Sequence, residues 1–217
     1  MRQVEFNPYS EIFRYLDRRK KKCIEAFSLD EVNVIINAFA SHPIFSYYQH
    51  FIEFRFLTGC RPSEAVALTW NDIITSYNRT SISFNKRYNA GELHHGTKNG
   101  MQQRIFPCNQ QLQDLLARIP RIENDLNLIF VGKRLKSYIN HDRFSVEVWK
   151  PMVSQLHVDG LISKYLSFYD QRHTFGTHIT RSGIDLKTTS SIMGNSPSVL
   201  MKHYLATNED VVLPELR

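Results

Sequence analysis

The chain has 217 residues, of which 42% are hydrophobic, 12% aromatic and 22% charged, the proportions of a globular domain, so disorder, collagen and coiled coil are excluded as descriptions of the whole. No apolar run approaches the ~20 residues that span a bilayer, and the first residues lack the apolar segment of a signal peptide. The cysteines Cys23, Cys60 and Cys108 are too scattered for a zinc or disulfide framework, so a reduced, cytoplasmic protein away from membranes is expected. Lys and Arg number 27 against 21 Asp and Glu, a formal charge of +6, which favours a polyanionic partner, nucleic acid first. Residues 1–22 hold seven basic and three acidic residues and so carry +4 of it, which weakens that inference for the rest of the chain.

Residues 1–27 read as a basic lead-in or linker, with Arg18-Arg19-Lys20-Lys21-Lys22 as a self-repelling, solvated run. Ser28-Leu29-Asp30-Glu31 has the pattern of a capping box. The helix it opens sets Val32, Ile35, Ile36 and Phe39 on one face. A second helix is expected from Tyr47 to about Thr58, stopped by Gly59, and a third, short one from Pro62 through Leu68. Residues 72–107 change period: Ser81-Ile82-Ser83-Phe84 alternates, and Asn89-Ala90-Gly91 and Lys98-Asn99-Gly100 are turn signals, which predicts a small antiparallel sheet. Helices return at Asn109, which caps Leu112, Leu115, Leu116 and Ile119, and from Asp142 to about His157. Three short helices follow Tyr169, broken at Gly183 and at Gly194-Asn195-Ser196-Pro197. The expected fold is α+β: one mostly helical domain over 28–207 with a small antiparallel sheet, then a tail over 208–217.

Four segments carry chemistry-bearing residues. Thr58-Gly59-Cys60-Arg61-Pro62-Ser63-Glu64 runs on to Leu68, Trp70 and Asp72-Ile73. Arg61 and Glu64 lie three apart and can meet on one helical turn, where a purely structural ion pair would look the same. Thr97-Lys98 precedes Arg104-Ile105-Phe106-Pro107; a lysine at a hairpin tip is ordinarily just solvated. The third segment is Tyr169-Asp170-Gln171-Arg172-His173-Thr174-Phe175-Gly176-Thr177-His178, and the fourth is Ile192-Met193-Gly194-Asn195, with Tyr204 nine positions beyond Asn195. His173 and His178 lack the Glu of a zincin, and His94-His95 lack a third ligand. No metal and no cofactor are expected.

Taken together, these segments resemble the catalytic domain of the tyrosine recombinases, the phage integrase family. Residues 58–73 match its T-G-x-R-x-x-E and L-x-W-x-D-I at every position, and Thr97-Lys98 and Arg104 to Pro107 match its T-K hairpin and R-x-x-P. The third segment matches H-x-L-R-H-T-F-x-T-H except at Tyr169 and Gln171. The fourth matches L-G-H with a tyrosine nine on, except that Asn195 stands for the family's His or Trp. Arg172 and Asn195 are 23 positions apart, as in the family.

The resemblance implies a site-specific enzyme that cleaves and rejoins DNA strands through a 3′-phosphotyrosyl intermediate, without metal or ATP. It assigns Tyr204 as nucleophile and Lys98 as general acid. Arg61 and Arg172 become the forked cations that stabilise the charged transition state, with Tyr169 and Asn195 at the two remaining positions. It also implies double-stranded DNA as partner, a tetramer on that DNA, and exchange of the 208–217 tail between subunits. A tyrosine or an asparagine can still donate to a phosphate oxygen, but neither replaces a titrating imidazole. Two alternatives follow: a catalytically impaired DNA-binding protein that keeps the fold, and an enzyme like the type IB topoisomerases.

Overall fold

A computed structural model describes residues 25–77, 79–96, 103–133 and 137–204, with side chains as far as Leu200. Helix α1 (Leu29–Ser41) begins as its sequence predicts. Ser28 Oγ accepts from the Glu31 amide at 3.2 Å, and Glu31 Oε2 accepts from the Ser28 amide at 2.7 Å. A 3₁₀ turn over Phe45–Tyr48 leads into α2 (Gln49–Thr58). Gly59 ends α2 at φ +55°, a left-handed conformation that disfavours a side chain. A Cβ there would also stand 2.8 Å from Phe175 Cβ. The short α3 (Pro62–Ala65) follows at once. It is shorter than the expected Pro62–Leu68 helix: Ala67 and Leu68 continue in tighter i→i+3 bonds to Glu64 and Ala65.

The sheet region divides in two. Strands β1 (Ile73–Ser76), β2 (Arg79–Phe84) and β5 (Arg104–Pro107) form an antiparallel sheet in the order β1-β2-β5, with Ile73, Ile82 and Phe106 in register on one face. Strands β3 (Lys86–Asn89) and β4 (Glu92–His95) form a separate hairpin, turning at Ala90-Gly91 as the Asn-Ala-Gly signal implies. The Lys98-Asn99-Gly100 turn lies outside the described residues. Helix α4 (Gln110–Arg118) is capped by Asn109, as expected. The helix expected from Asp142 is α5 (His141–Phe144) running through a π segment (Ser145–Trp149) into α6 (Lys150–Val158). Pro151 explains the widened turn: it has no amide proton, and its ring crowds the carbonyl four residues back. Helices α7 (Asp170–Arg181), α8 (Leu186–Met193) and α9 (Pro197–Tyr204) close the chain.

The core is aromatic. Trp149 is fully buried, with the rings of Phe27, Phe39, Phe56 and Phe168 centred 5.6–6.3 Å away, and its indole N–H donates to Leu166 O at 3.0 Å. Phe27, in the segment read as a lead-in, belongs to this core. Its amide donates to Thr174 Oγ1 at 3.2 Å, and its carbonyl meets His178 Nε2 at 2.9 Å. None of the described helices is long and apolar enough to cross a membrane. Trp149→Ala should lower the unfolding free energy by about 3–5 kcal/mol through the cavity it leaves. Trp149→Phe keeps a ring but leaves the Leu166 carbonyl without its donor and should cost about 1–3 kcal/mol. Urea denaturation measures both, and an Ala variant as stable as its parent would contradict the central place given to this residue.

Candidate active site

Helix α8 ends at Met193, and its last carbonyls have no intrahelical donors and lie at the negative end of the helix dipole. Three arginines from three different elements fill that vacancy. Arg104, on β5, donates through Nη1 to Ile192 O. Arg172, on α7, donates through Nη2 to Met193 O at 2.5 Å. Arg61, at the start of α3, donates through Nη2 to Gly194 O at 2.9 Å. Arg172 Nη1 also donates to Gly59 O at 2.7 Å, so one guanidinium ties the α2–α3 corner to the α8–α9 corner. Gly194 lies at φ +62°, and a Cβ there would stand 3.0 Å from both Cδ and Nε of Arg104. Glycine leaves the space through which Arg104 reaches the helix end.

One carboxylate balances the three cations. Glu64 is 2% exposed. Its Oε1 accepts from Arg61 Nη1 at 2.8 Å, and its Oε2 accepts from Arg104 Nη2 at 2.7 Å and from the Arg61 amide at 3.0 Å. Burial opposes the Glu64 charge, but the guanidinium groups of Arg104 and Arg61 outweigh it and hold the carboxyl below its usual pKa of 4.5. Burial, then the like charge of Arg61, pushes the Arg172 pKa down, against the opposing pull of Glu64 and Tyr169. Three guanidiniums against one carboxylate leave the cluster positive.

Arg61 and Tyr169 border one cleft of about 530 Å³. Tyr169 sits just before α7, 45% exposed, with its ring edge-on to His173 at 5.3 Å. Asn195 follows the Gly194 turn, and its Oδ1 accepts from Arg172 Nη2 at 2.9 Å. With the amide oxygen turned to Arg172, the NH₂ group is the end left to donate elsewhere. Thus Arg61, Arg172 and Asn195 meet around the end of α8, and Tyr169 shares the Arg61 cleft. Lys98 lies outside the described residues. Tyr204 is the last residue of α9, and its backbone alone is described.

Three participants are missing from the six residues picked out by sequence. Glu64 and Arg104 were visible within their motifs, Glu64 as the close of T-G-x-R-x-x-E and Arg104 as the first residue of R-x-x-P, but no pattern shows that they share one ion pair. Arg55 had no signal beyond being a cation on an apolar helix. It is fully buried, donates through Nη1 to Phe168 O at 3.0 Å, and lies 3.9 Å over the Phe168 ring. Burial pushes its pKa down to about 10. It thereby holds the residue immediately before Tyr169.

The Glu64 geometry sets a pH dependence. A carboxyl whose pKa is depressed by folding contributes its full stabilisation above about pH 4.5 and loses it as the pH falls through the lower folded value. Glu64→Gln leaves two buried guanidiniums uncompensated. It should lower the unfolding free energy at pH 7 by about 3–5 kcal/mol and flatten the acid dependence of stability. Urea denaturation at neutral and acid pH tests this; an unchanged neutral stability would show that the carboxylate does not hold the cluster together.

Comparison with known proteins supports the assignment of these segments. The phage integrase family matches residues 25–210. The tyrosine recombinase XerD of Halalkalibacterium halodurans is 25% identical over 191 residues, covering 83% of this chain and 56% of that protein. The chain therefore spans little more than half the length of this curated relative. In structure it resembles the Tn1549 transposon integrase solved in complex with transposon right end DNA, with a TM-score of 0.74 at 16% identity over 96% of this chain and 70% of that one. It also resembles lambda integrase solved as a tetramer on a Holliday junction, with a TM-score of 0.58 at 13% identity over 87% of this chain and 51% of that one. The fold is that of the tyrosine recombinase catalytic domains, and with the family match extending over most of its length the chain belongs to the phage integrase family.

Proposed function

We propose that this domain breaks and rejoins strands of double-stranded DNA through a phosphotyrosyl intermediate. The observation that carries the reading is the anchoring of Arg61 and Arg172 on adjacent carbonyls, Gly194 and Met193, beside Asn195, with Arg61 on the cleft that Tyr169 borders. Two guanidiniums fixed at one helix end supply positive charge where a phosphodiester gains negative charge, and their positions are set before the substrate arrives. In the proposed step the Tyr204 phenol gives up its proton to solvent, its oxygen attacks phosphorus and the P–O5′ bond breaks. Lys98 gives its proton to the departing 5′-oxygen, and the phosphate stays joined to the protein at the 3′ end. A 5′-hydroxyl from a second strand reverses the step, so the bond energy is conserved without an external energy source. Tyr169 and the Asn195 amide donate hydrogen bonds to the remaining phosphate oxygens.

The domain works in this reading as one subunit of a tetramer on DNA in the cytoplasm, as the lambda integrase tetramer suggests, with the basic residues 1–22 as a linker and 208–217 docking on a neighbouring subunit. Binding by the chain alone is expected to be weak and strongly salt-dependent, since phosphate contacts dominate. Tyr169 and Asn195 favour one competing reading, a DNA-binding protein with impaired catalysis, because neither supplies a titrating imidazole.

A nicked suicide duplex separates the two. The parent should accumulate a covalent adduct stable to denaturation. Tyr204→Phe should form none while keeping DNA affinity within about twofold, because only the attacking oxygen is lost. An adduct formed by Tyr204→Phe would mean another nucleophile. No adduct from the parent, with adduct restored by Tyr169→His and Asn195→His together, would establish the impaired reading.

A further inference from the structure

The cleft that holds Arg61 and Tyr169 extends past them to the β3–β4 hairpin on one side and to α5 on the other, where Arg87, His94 and His141 line it. The hairpin register explains why two of these face the same way. Arg87 and His94 are directly opposed across β3 and β4, and opposed residues of an antiparallel pair project from one face. Lys86 projects from the other face, where its Nζ is engaged by Asp72 Oδ2 at 2.5 Å, so the hairpin offers its second cation to the cleft and keeps the first for structure. Arg87 Nη1 donates to Gly96 O at 3.1 Å, which steadies the side chain, and no carboxylate pairs with Arg87 among the described residues.

The opposite wall is fastened to the hairpin. The Tyr88 ring, next to Arg87, stacks on Tyr138, three residues before His141, with centroids 3.8 Å apart and planes 12° apart. Both histidines have an acidic neighbour, with His94 Nε2 3.7 Å from Glu92 Oε2 and His141 Nδ1 3.1 Å from Asp142 Oδ1, and Asp142 itself borders the cleft; the two carboxylates are 77% and 83% exposed at the side chain, where water and salt screen them. A recess in which Arg61 and Arg87 outnumber the one carboxylate, Asp142, suits an anion held beside the first.

We propose that Arg87, His94 and His141 form a second anion subsite that takes a DNA phosphate flanking the one undergoing cleavage. This rests on the reading of the Arg61 cleft as the DNA phosphodiester site. The subsite positions the strand: with a neighbouring phosphate gripped between hairpin and α5, the strand cannot slide along the cleft, and the scissile phosphorus is held over the Arg61 and Arg172 forks. Cross-strand pairing and the Tyr88–Tyr138 stack set this grip before DNA arrives.

The test uses the full chain and a series of nicked duplexes, each with one neutral methylphosphonate in place of a phosphate near the nick, and reads affinity by fluorescence anisotropy over a range of salt. Arg87→Ala should weaken binding to the unmodified duplex about fivefold near 0.15 M salt and reduce the slope of log K against log salt by about 0.9, the effect of one lost phosphate contact. At one flanking position the methylphosphonate should erase that difference, because the contact is already gone. Asp142→Asn, which removes a negative charge from the rim, should tighten binding. Arg118→Ala removes an equal charge from α4, where Arg118 pairs with Glu53 of α2, and should match the parent. The proposal is overturned if Arg87→Ala behaves like Arg118→Ala, if its effect adds to every methylphosphonate without exception, or if the parent binds no duplex. Failure of the strand-cleavage reading looks different: the parent binds but forms no adduct, and the Arg87 results still decide the subsite.

Discussion

The site depends on the unpaired end of one helix. Three consecutive carbonyls, Ile192, Met193 and Gly194, are bonded by guanidiniums from β5, α7 and α3. Each of these oxygens needs a donor on burial, and each arginine needs acceptors to be tolerated inside. Meeting both needs at once removes two costs with one set of bonds. The arrangement also fixes the cationic side chains against a rigid element, which distinguishes this cluster from surface arginines whose conformations would have to be ordered on binding. Glu64 completes it by accepting from Arg61 and Arg104, neutralising part of the repulsion while leaving an excess of positive charge.

The aromatic core serves the same end. Phe168 lies on Trp149 at 5.6 Å and beneath the Arg55 guanidinium, which holds its carbonyl; the next residue is Tyr169. Phe175, one turn beyond Arg172, fills the space that Gly59 leaves and meets Phe106 at 6.0 Å. Phe106 in turn packs on Phe84, over which Arg104 lies at 4.2 Å. A continuous path of contacts therefore joins the sheet, α7 and the α2–α3 corner, with Arg104 two residues before Phe106 and Arg172 three before Phe175. In a close-packed interior such contacts transmit displacement rather than absorb it, so the positions of Arg61, Arg104 and Arg172 are mutually dependent.

The two departures at Tyr169 and Asn195 fit this framework differently. Asn195 is integrated into it: its carbonyl oxygen accepts from the same Arg172 nitrogen that caps α8, and an amide, unlike an imidazole, presents the same donors and no charge at any ordinary pH. Tyr169 is exposed and held by its backbone neighbours and by the edge of His173. In the proposed reaction both act as neutral donors, so charge stabilisation falls to the arginines and proton transfer to Lys98 and Tyr204.

Much of the fold was legible because its signals are local. Ser28 and Glu31, Asn109, Gly59 and Gly194 each act on residues within one turn, and the helix boundaries they imply are those observed. Pro62–Ala65 came out shorter than its apolar pattern suggested, and Pro151 widened a helix that periodicity alone draws as regular. The sheet separated into two because the β3–β4 register, with Lys86 drawn to Asp72, is a tertiary matter. For the site, it was the resemblance of four motifs to the tyrosine recombinases that put Arg61, Arg172 and Asn195 together across more than a hundred residues. Composition and periodicity could not show that Glu64 and Arg104 are one ion pair, that Arg55 lies buried over the Phe168 ring, or that Arg87 and His94 face the same cleft. Those facts arise from which surfaces meet when the helices pack, and a buried charge finds its partner only when the rest of the chain has closed around it.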